Sequence, residues 1–547
     1  MKRRVPDAAP FATETHGLRP ATPSQHTRIA DGETFELRIA SVVNQLDDLS
    51  VRMLAYNGSI PGPTLHVEQG SQITVHVRND SDLEATVHWH GLRLENEYDG
   101  VPHETQAPIP IGGEFTYRLR FPDAGLYWYH PHIREDYGTE MGLYGNIVVE
   151  PSDPAYWPPV DREYVVTLDD ILVEGGRIAT FDRVRPTHVA MGRFGNVMLI
   201  AGQTTIGMEA EAGDVVRLYL TNTANTRLFN VAVRDATMKL VGGDSGRYEH
   251  ETLVDAVLLA PSERAIVDVL VERAGSYALE HRTPTRTYRL GSIDVSERAA
   301  EAPAKSAFLR LRTDDSLVAE REKIAEYRDR PPDKTLAFES RMPLLYGDEH
   351  DDATATSYAC PMHPEVVSAS TGTCPTCGMR LIPRSLTGDG SEQSPQSDGH
   401  ADHAADHAHE DSGDGLEWED LMPEINAASD TTNMFWELVD RDTGKVNGAI
   451  EWSFTVGDRV KIRLKNDLEQ DHPMHHPFHV HGAGRFLVLS RDDVPDPNLV
   501  WKDTVLVRAD ETVDILLDVT NPGRWMAHCH IAEHHESGMM FSFNVAP

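Results

Sequence analysis

The chain has 547 residues and a formal net charge of −37, from 87 acidic against 50 basic side chains. Single cores stop growing at roughly 250–300 residues, so several domains are required, and the acidic balance argues against nucleic-acid or anionic-membrane partners while favouring metal cations. No run of about 18 apolar residues occurs, which excludes an inserted membrane helix.

The chain starts MKRRVPDAAPFATETHG, basic as in an export signal but without the apolar stretch that comes next in one. The expectation is a cytoplasmic protein; the alternative is export, with the signal lying outside this sequence. Downstream, one pattern recurs three times: VEQGSQITVHVRN to Asn79, AEAGDVVRLYLTN to Asn222 and FTVGDRVKIRLKN to Asn466, with Gly70, Gly213 and Gly457 nine residues before the closing Asn. Each copy reads as a turn and an alternating strand. A second echo runs from Gly125 to His130, Gly275 to His281 and Gly523 to His528. Short strands separated by Gly, Pro and Asn turns predict an all-β chain of three β-sandwiches at 28–152, 160–298 and 416–547.

Between the second and third sandwiches the spacing predicts a helix near LVAEREKIAEYRDR, then a Cys-containing module at 357–384 and a Gly/Ser/Asp/His tract at 385–415. The tract, with His400, His403, His407 and His409, has little apolar surface to bury and reads as a disordered linker or as an open metal-scavenging cluster.

Four cysteines, Cys360, Cys374, Cys377 and Cys529, are too few and too clustered for a disulfide framework and read as metal ligands. Histidines come in four i, i+2 pairs: His88/His90, His130/His132, His479/His481 and His528/His530. On an extended strand each pair faces one side, so eight imidazoles can meet at one polynuclear metal centre. Cys529, between His528 and His530, then faces the other way. There His476, His534 and Met539 can complete a thiolate, two-imidazole, weak-thioether set, the signature of a blue copper electron-transfer site.

These motifs resemble the three-domain multicopper oxidases, a group that includes laccases, cuprous oxidases and bilirubin oxidases, over most of the chain outside about 300–415. The resemblance implies three cupredoxin-like Greek-key sandwiches and four copper ions. His476, Cys529, His534 and Met539 match the type 1 site, and His88 and His479 the type 2 ligands. His90, His130, His132, His481, His528 and His530 match the ligands of the two type 3 ions. It further implies dioxygen as a substrate, reduced to water, with a small reductant that is a metal ion or a phenol. Asp99, in the EYDG turn, is similar to an acidic residue that hydrogen-bonds toward the type 2 water; an ordinary Asp-Gly turn is the other reading. Relatives often carry Glu directly after the type 1 histidine as proton donor, where this chain has His535, with Glu536 next to it.

The segment YACPMHPEVVSASTGTCPTCGMRLIP is similar to the heavy-metal-binding module of metal-efflux proteins. Cys360, His363, Cys374 and Cys377 offer three thiolates and an imidazole, suited to tetrahedral zinc or cuprous copper, for metal capture on a flexible tether or as a structural zinc ribbon. The function expected is a metallo-oxidase acting on cuprous ion in copper tolerance. The alternatives are a laccase or bilirubin-oxidase-like enzyme and a copper buffer or metallochaperone. Glu533, Glu536, Asp471 and Met474 are the candidates to steer a cation at the type 1 mouth.

Overall fold

The computed structural model describes residues 10–297, 304–346, 357–363, 365–384 and 414–547. The three repeats become equivalent strands. Gln72–Asp80, Val215–Asn222 and Arg459–Asn466 each pair in parallel with an earlier strand, respectively Thr34–Leu46, Arg162–Ile171 and Lys334–Arg341. Each pairs antiparallel with a later one, Glu114–Arg120, Arg264–Leu270 and Glu511–Val519. A second, five-stranded sheet packs on each of these, giving three sandwiches.

The repeated residues have physical reasons. Gly70, Gly213 and Gly457 adopt φ of +88°, +88° and +96°, a region costly for any residue with a Cβ. Their N–H groups donate to the carbonyls of Phe121, Val271 and Val519, closing the turn onto the antiparallel partner. The closing Asn pins the loop beyond the strand. Asn79 Nδ2 donates to the carbonyls of Leu83 and Ile109, Asn222 to Arg227 and Leu259, and Asn466 to Met474 and Arg508. In the outer sandwiches the pinned loops run on to His88 and to His476, so a repeat that reads as architecture also fixes where ligand-bearing strands begin.

The expected helix is present at Asp315–Arg328, with Asp314 accepting from the N–H groups of Ser316 and Leu317 as its N-cap. Two boundaries move. The first sandwich also takes in Arg19–Pro20 and His26–Arg28. The third does not start at 416: Lys334–Arg341 lies between Phe435–Asp440 and Arg459–Asn466 in its sheet, so the module interrupts this sandwich after its first strand. Nearly all of the 385–415 tract, with its four histidines, lies outside the described residues.

The module is held by a small three-stranded sheet. The reading of the module as a unit on a flexible tether is corrected: Cys360, Met362, Cys374 and Met379 are buried in one continuous core with Leu464, Met474 and Phe478 of the third sandwich. A segment this short cannot enclose a core alone and borrows one. Among the described residues no helix is long and apolar enough to cross a membrane.

The sandwiches meet at Arg264. This fully buried guanidinium donates to the carbonyl of Leu126 in the first sandwich at 3.0 Å and to Asp503 Oδ1 in the third at 2.7 Å. Removing one member of a buried pair costs about 3–5 kcal/mol, because the other charge is left without compensation. Arg264→Ala is therefore expected to lower the melting temperature markedly, and a thermal scan showing no shift would contradict the pairing.

Candidate metal centre

Strand pairing assembles the site. His88–His90 runs antiparallel to Gly125–His130 with His88 opposite His130. In the third sandwich His479 lies opposite His528, and Phe478 opposite Cys529. The alternation of strand side chains then sends the paired imidazoles toward the junction of the first and third sandwiches, and Cys529 toward the third sandwich's own core.

All eight paired histidines are buried. The rings of His90 and His479 stack with centroids 3.8 Å apart, His88 and His481 lie 4.0 Å apart, and His130, His528 and His530 lie 5–6 Å from further members of the group. Most rings use one nitrogen to fix orientation. His88 Nδ1 donates to the Asp99 carbonyl at 2.7 Å, His479 Nδ1 to the Asp503 carbonyl at 2.9 Å, and His528 Nδ1 to the Cys529 carbonyl at 2.8 Å. His481 Nδ1 donates to Asp99 Oδ2 at 2.8 Å and His90 Nε2 to Asp503 Oδ1 at 3.0 Å.

The opposite nitrogens of His88, His90, His130 and His479, and Nε2 of His132 and His530, have no hydrogen-bond partner among the described residues. At about 1–3 kcal/mol for each unsatisfied buried group, six such atoms cost on the order of 10 kcal/mol, as much as a whole domain's net stability. Cations accepting these lone pairs offset that cost. Burial first, and neighbouring imidazoles second, hold His90, His132, His479, His481 and His528 well below the usual imidazole pKa, in the neutral ligating form. The donor set fits copper.

The groups around the rings differ in part from expectation. Asp99 is buried and holds His88 and His481 through its carbonyl and carboxylate, so it positions two ligands. His535 joins the cluster: its ligating atoms lie within 4.8 Å of those of His132 and His528. Its Nδ1 is 3.0 Å from Glu135 Oε2, and although burial disfavours its charged form, Glu135 outweighs this and raises its pKa. Glu536 instead accepts from the Glu135 backbone N–H at 2.8 Å, and burial raises its carboxyl to about 7.

Glu135 and Asp503 were not singled out in the sequence. Glu135 approaches His130, His530 and His535; an acid three residues beyond HPH was the one available signal. Asp503, from a different strand edge, carries none. The steering candidates do not converge: Glu533 accepts from Asn225 and Thr226, Asp471 pairs with Arg380, and Met474 is buried.

On the far side of the strand, Cys529 Sγ lies 3.4 Å from His476 Nδ1 and 3.8 Å from His534 Nδ1. Met539 is buried, and its backbone carbonyl accepts from the Cys529 N–H at 3.2 Å. Burial raises the Cys529 thiol, so a bound cation must displace its proton. In the module, Cys360 Sγ lies 3.5 Å from Cys377 Sγ and 3.7 Å from His363 Nδ1, which is 3.7 Å from Cys374 Sγ.

Two multicopper oxidase family models match residues 40–154 and 422–547, the segments that supply these imidazoles and the Cys529 set. The chain belongs to the multicopper oxidases. It is accordingly a copper-dependent oxidoreductase, and residues 357–384 match the heavy metal binding domain. Among its relatives, a copper resistance protein A homolog of Pseudomonas syringae is 24% identical over 94% of this chain and 92% of its own. A putative laccase of Oryza sativa is 26% identical over 90% and 88%. A Campylobacter jejuni multicopper oxidase, described as a metallo-oxidase, superposes with a TM-score of 0.64 at 20% identity, covering 98% of this chain and 99% of that one. At that identity the likeness shows the multicopper oxidase fold.

Groups that orient ligands typically affect metal affinity about 10–100-fold. Asp99→Ala is expected to make the imidazole-cluster copper more labile by about that factor in a chelator competition, with the Cys529 absorption retained. Unchanged copper retention would remove Asp99 from this role.

Proposed function

We propose that this multicopper oxidase is a metallo-oxidase taking single electrons from cuprous ion and reducing dioxygen to water. The observation that carries the substrate reading is the cover over His534. Its side chain has no solvent exposure, and its ring stacks 4.1 Å from Trp436, whose indole N–H donates to the Val189 carbonyl of the second sandwich at 2.7 Å. An organic donor passes electrons most readily with its ring against an accessible imidazole, and this imidazole is covered. A small cation needs far less room. The relative named for copper resistance and the neighbour described as a metallo-oxidase support the same reading.

The proposed load is four copper ions, one held by His476, Cys529, His534 and Met539 and three by the eight paired imidazoles. When bound, copper supplies one-electron acceptance at the first site and reduction of dioxygen at the second. The chain's own residues do the rest. Cys529 is peptide-bonded to His528 and His530, so the two sites are joined by a short covalent path. Asp99 and Asp503 orient His88, His481, His90 and His479. The Glu135 carboxylate, 3.0 Å from His535 Nδ1, favours a protonated His535 beside the cluster, and burial at the domain junction excludes bulk water.

Oxygen uptake by the copper-loaded chain tests the substrate. Cuprous ion is expected to exceed a phenol in kcat/KM by about tenfold or more, that is by about 1.4 kcal/mol of transition-state discrimination; a phenol that matches it overturns the reading. Trp436→Ala should narrow the ratio by uncovering the face of the His534 ring, at about 3–5 kcal/mol of stability. Cys529→Ser should abolish the intense blue absorption while leaving the cluster's copper in place, and loss of both signals together would count against two separate sites.

A further inference from the structure

The knuckle of the inserted module, Cys374 to Met379, is seated on the loop that leads to His476. A Cβ added at Gly378 would lie 3.1 Å from Leu468 Cδ2 and 3.2 Å from Pro473 Cγ, so the turn already fills the space against that loop. Arg380 pairs with Asp471 at 3.0 Å, and Tyr346 Oη donates to the Arg380 carbonyl at 2.8 Å. The loop is held from below by the Asn466 donation to the Met474 carbonyl, by the exchange between Ser340 Oγ and the His472 backbone, and by the Met342 N–H donating to Asp471. The module forms its upper wall. Cys360, Cys374 and Met379 lie in the same buried core as Met474, Cys529 and Met539.

The ligands in that wall are set for metal. Four ligands set tetrahedrally at about 2.3 Å from a cation have edges of about 3.8 Å; the Cys360–Cys377, Cys360–His363 and His363–Cys374 separations are 3.5–3.7 Å, and all four ligand atoms lie within 4.8 Å of one another. The segment spans 357–384 with three strands of two residues each. A unit of this size has little core beyond what it shares with the third sandwich, so metal binding and the seating of the module are linked equilibria. Losing the fold would uncover Leu468 and Pro473 and open the core beside Met474, two residues before His476.

We propose that Cys360, His363, Cys374 and Cys377 form an effector site, and that its loading by a thiophilic d10 cation, cuprous copper or zinc, orders the loop at 467–475 and so completes the copper site of His476, Cys529 and His534. The inference rests on the reading of those three residues as a copper site and is independent of the substrate. Coupling of this kind is reciprocal: whatever factor by which the metal favours the seated loop, the seated loop favours the metal.

The test is hydrogen exchange of the full chain over 467–475, in copper-free and copper-loaded oxidase, with zinc or cuprous ion titrated into the module. Either cation is expected to slow exchange there even in copper-free oxidase, so that loop ordering is read without the blue absorption. In copper-loaded oxidase it should also intensify that absorption. Slowing by only one of the two identifies the effector as that ion. Cys374→Ser with Cys377→Ser should abolish the response. Leu468→Asp keeps all four ligands and breaks the contact, and it should weaken zinc binding by about 5–150-fold, the usual range of such coupling. Unchanged exchange on loading, or unchanged zinc affinity in Leu468→Asp, overturns the proposal. A slowed loop without blue absorption in the copper-loaded chain would instead refute the copper-site reading on which the proposal rests.

Discussion

The structure depends on keeping many imidazoles buried, neutral and aimed at one another with unpaired nitrogens. Such an arrangement is unfavourable by itself, because desolvated lone pairs have given up water and gained nothing. It is sustained by rigid strands on both sides and by backbone carbonyls and carboxylates that take the opposite nitrogen of most rings. Two of those acids, Asp99 and Asp503, come from different sandwiches, and each reaches across the junction: Asp99 to His481, Asp503 to His90. The cluster is thus a property of the interface and belongs to neither domain alone.

The second sandwich has no ligand pairs, and its structural role comes from where its charges sit. Its copy of the repeated histidine, His281, accepts the Asn230 N–H through Nδ1 and is spent on its own sheet. Its Arg264 neutralises Asp503 from behind, while Val189 takes the indole N–H of Trp436 above His534. One domain therefore braces the imidazole cluster and anchors the cover of the thiolate site. The same strand, Gly523–Cys529, serves both sites because its alternation turns His528 and Cys529 to opposite faces, which makes the shortest connection between them a covalent one.

Along this chain, acids accumulate where the short helices Glu135–Glu140 and Ala532–Glu536 meet. Burial there raises Glu140 to about 7 and Glu533 to about 8, while the imidazoles beside Glu135 outweigh its burial and hold it well below the usual range. The first helix brings Glu135 to the imidazole cluster and the second brings His534 toward Cys529, and the acids at their contact are buried.

The sequence by itself determined what is periodic or local. Three copies of a Gly-to-Asn strand reveal three sandwiches because the turn needs a positive φ at Gly and the loop after the strand needs an amide to pin it. Paired histidines reveal ligand strands because i and i+2 share a face, and Cys529 between two of them reveals a second site behind the first. Only tertiary structure decided what comes from distant chain. Lys334–Arg341 joins the third sandwich across the whole insertion, since parallel partners leave no mark of their register in either strand. The module's seating on Leu468 and Pro473 arises from apolar surfaces that have no period to read. Asp503 and Glu135 reach the imidazoles from other strands and helices, and the cover over His534 is built from the second and third sandwiches together. Contacts of that kind depend on how separately folded layers meet, and no spacing within one segment encodes them.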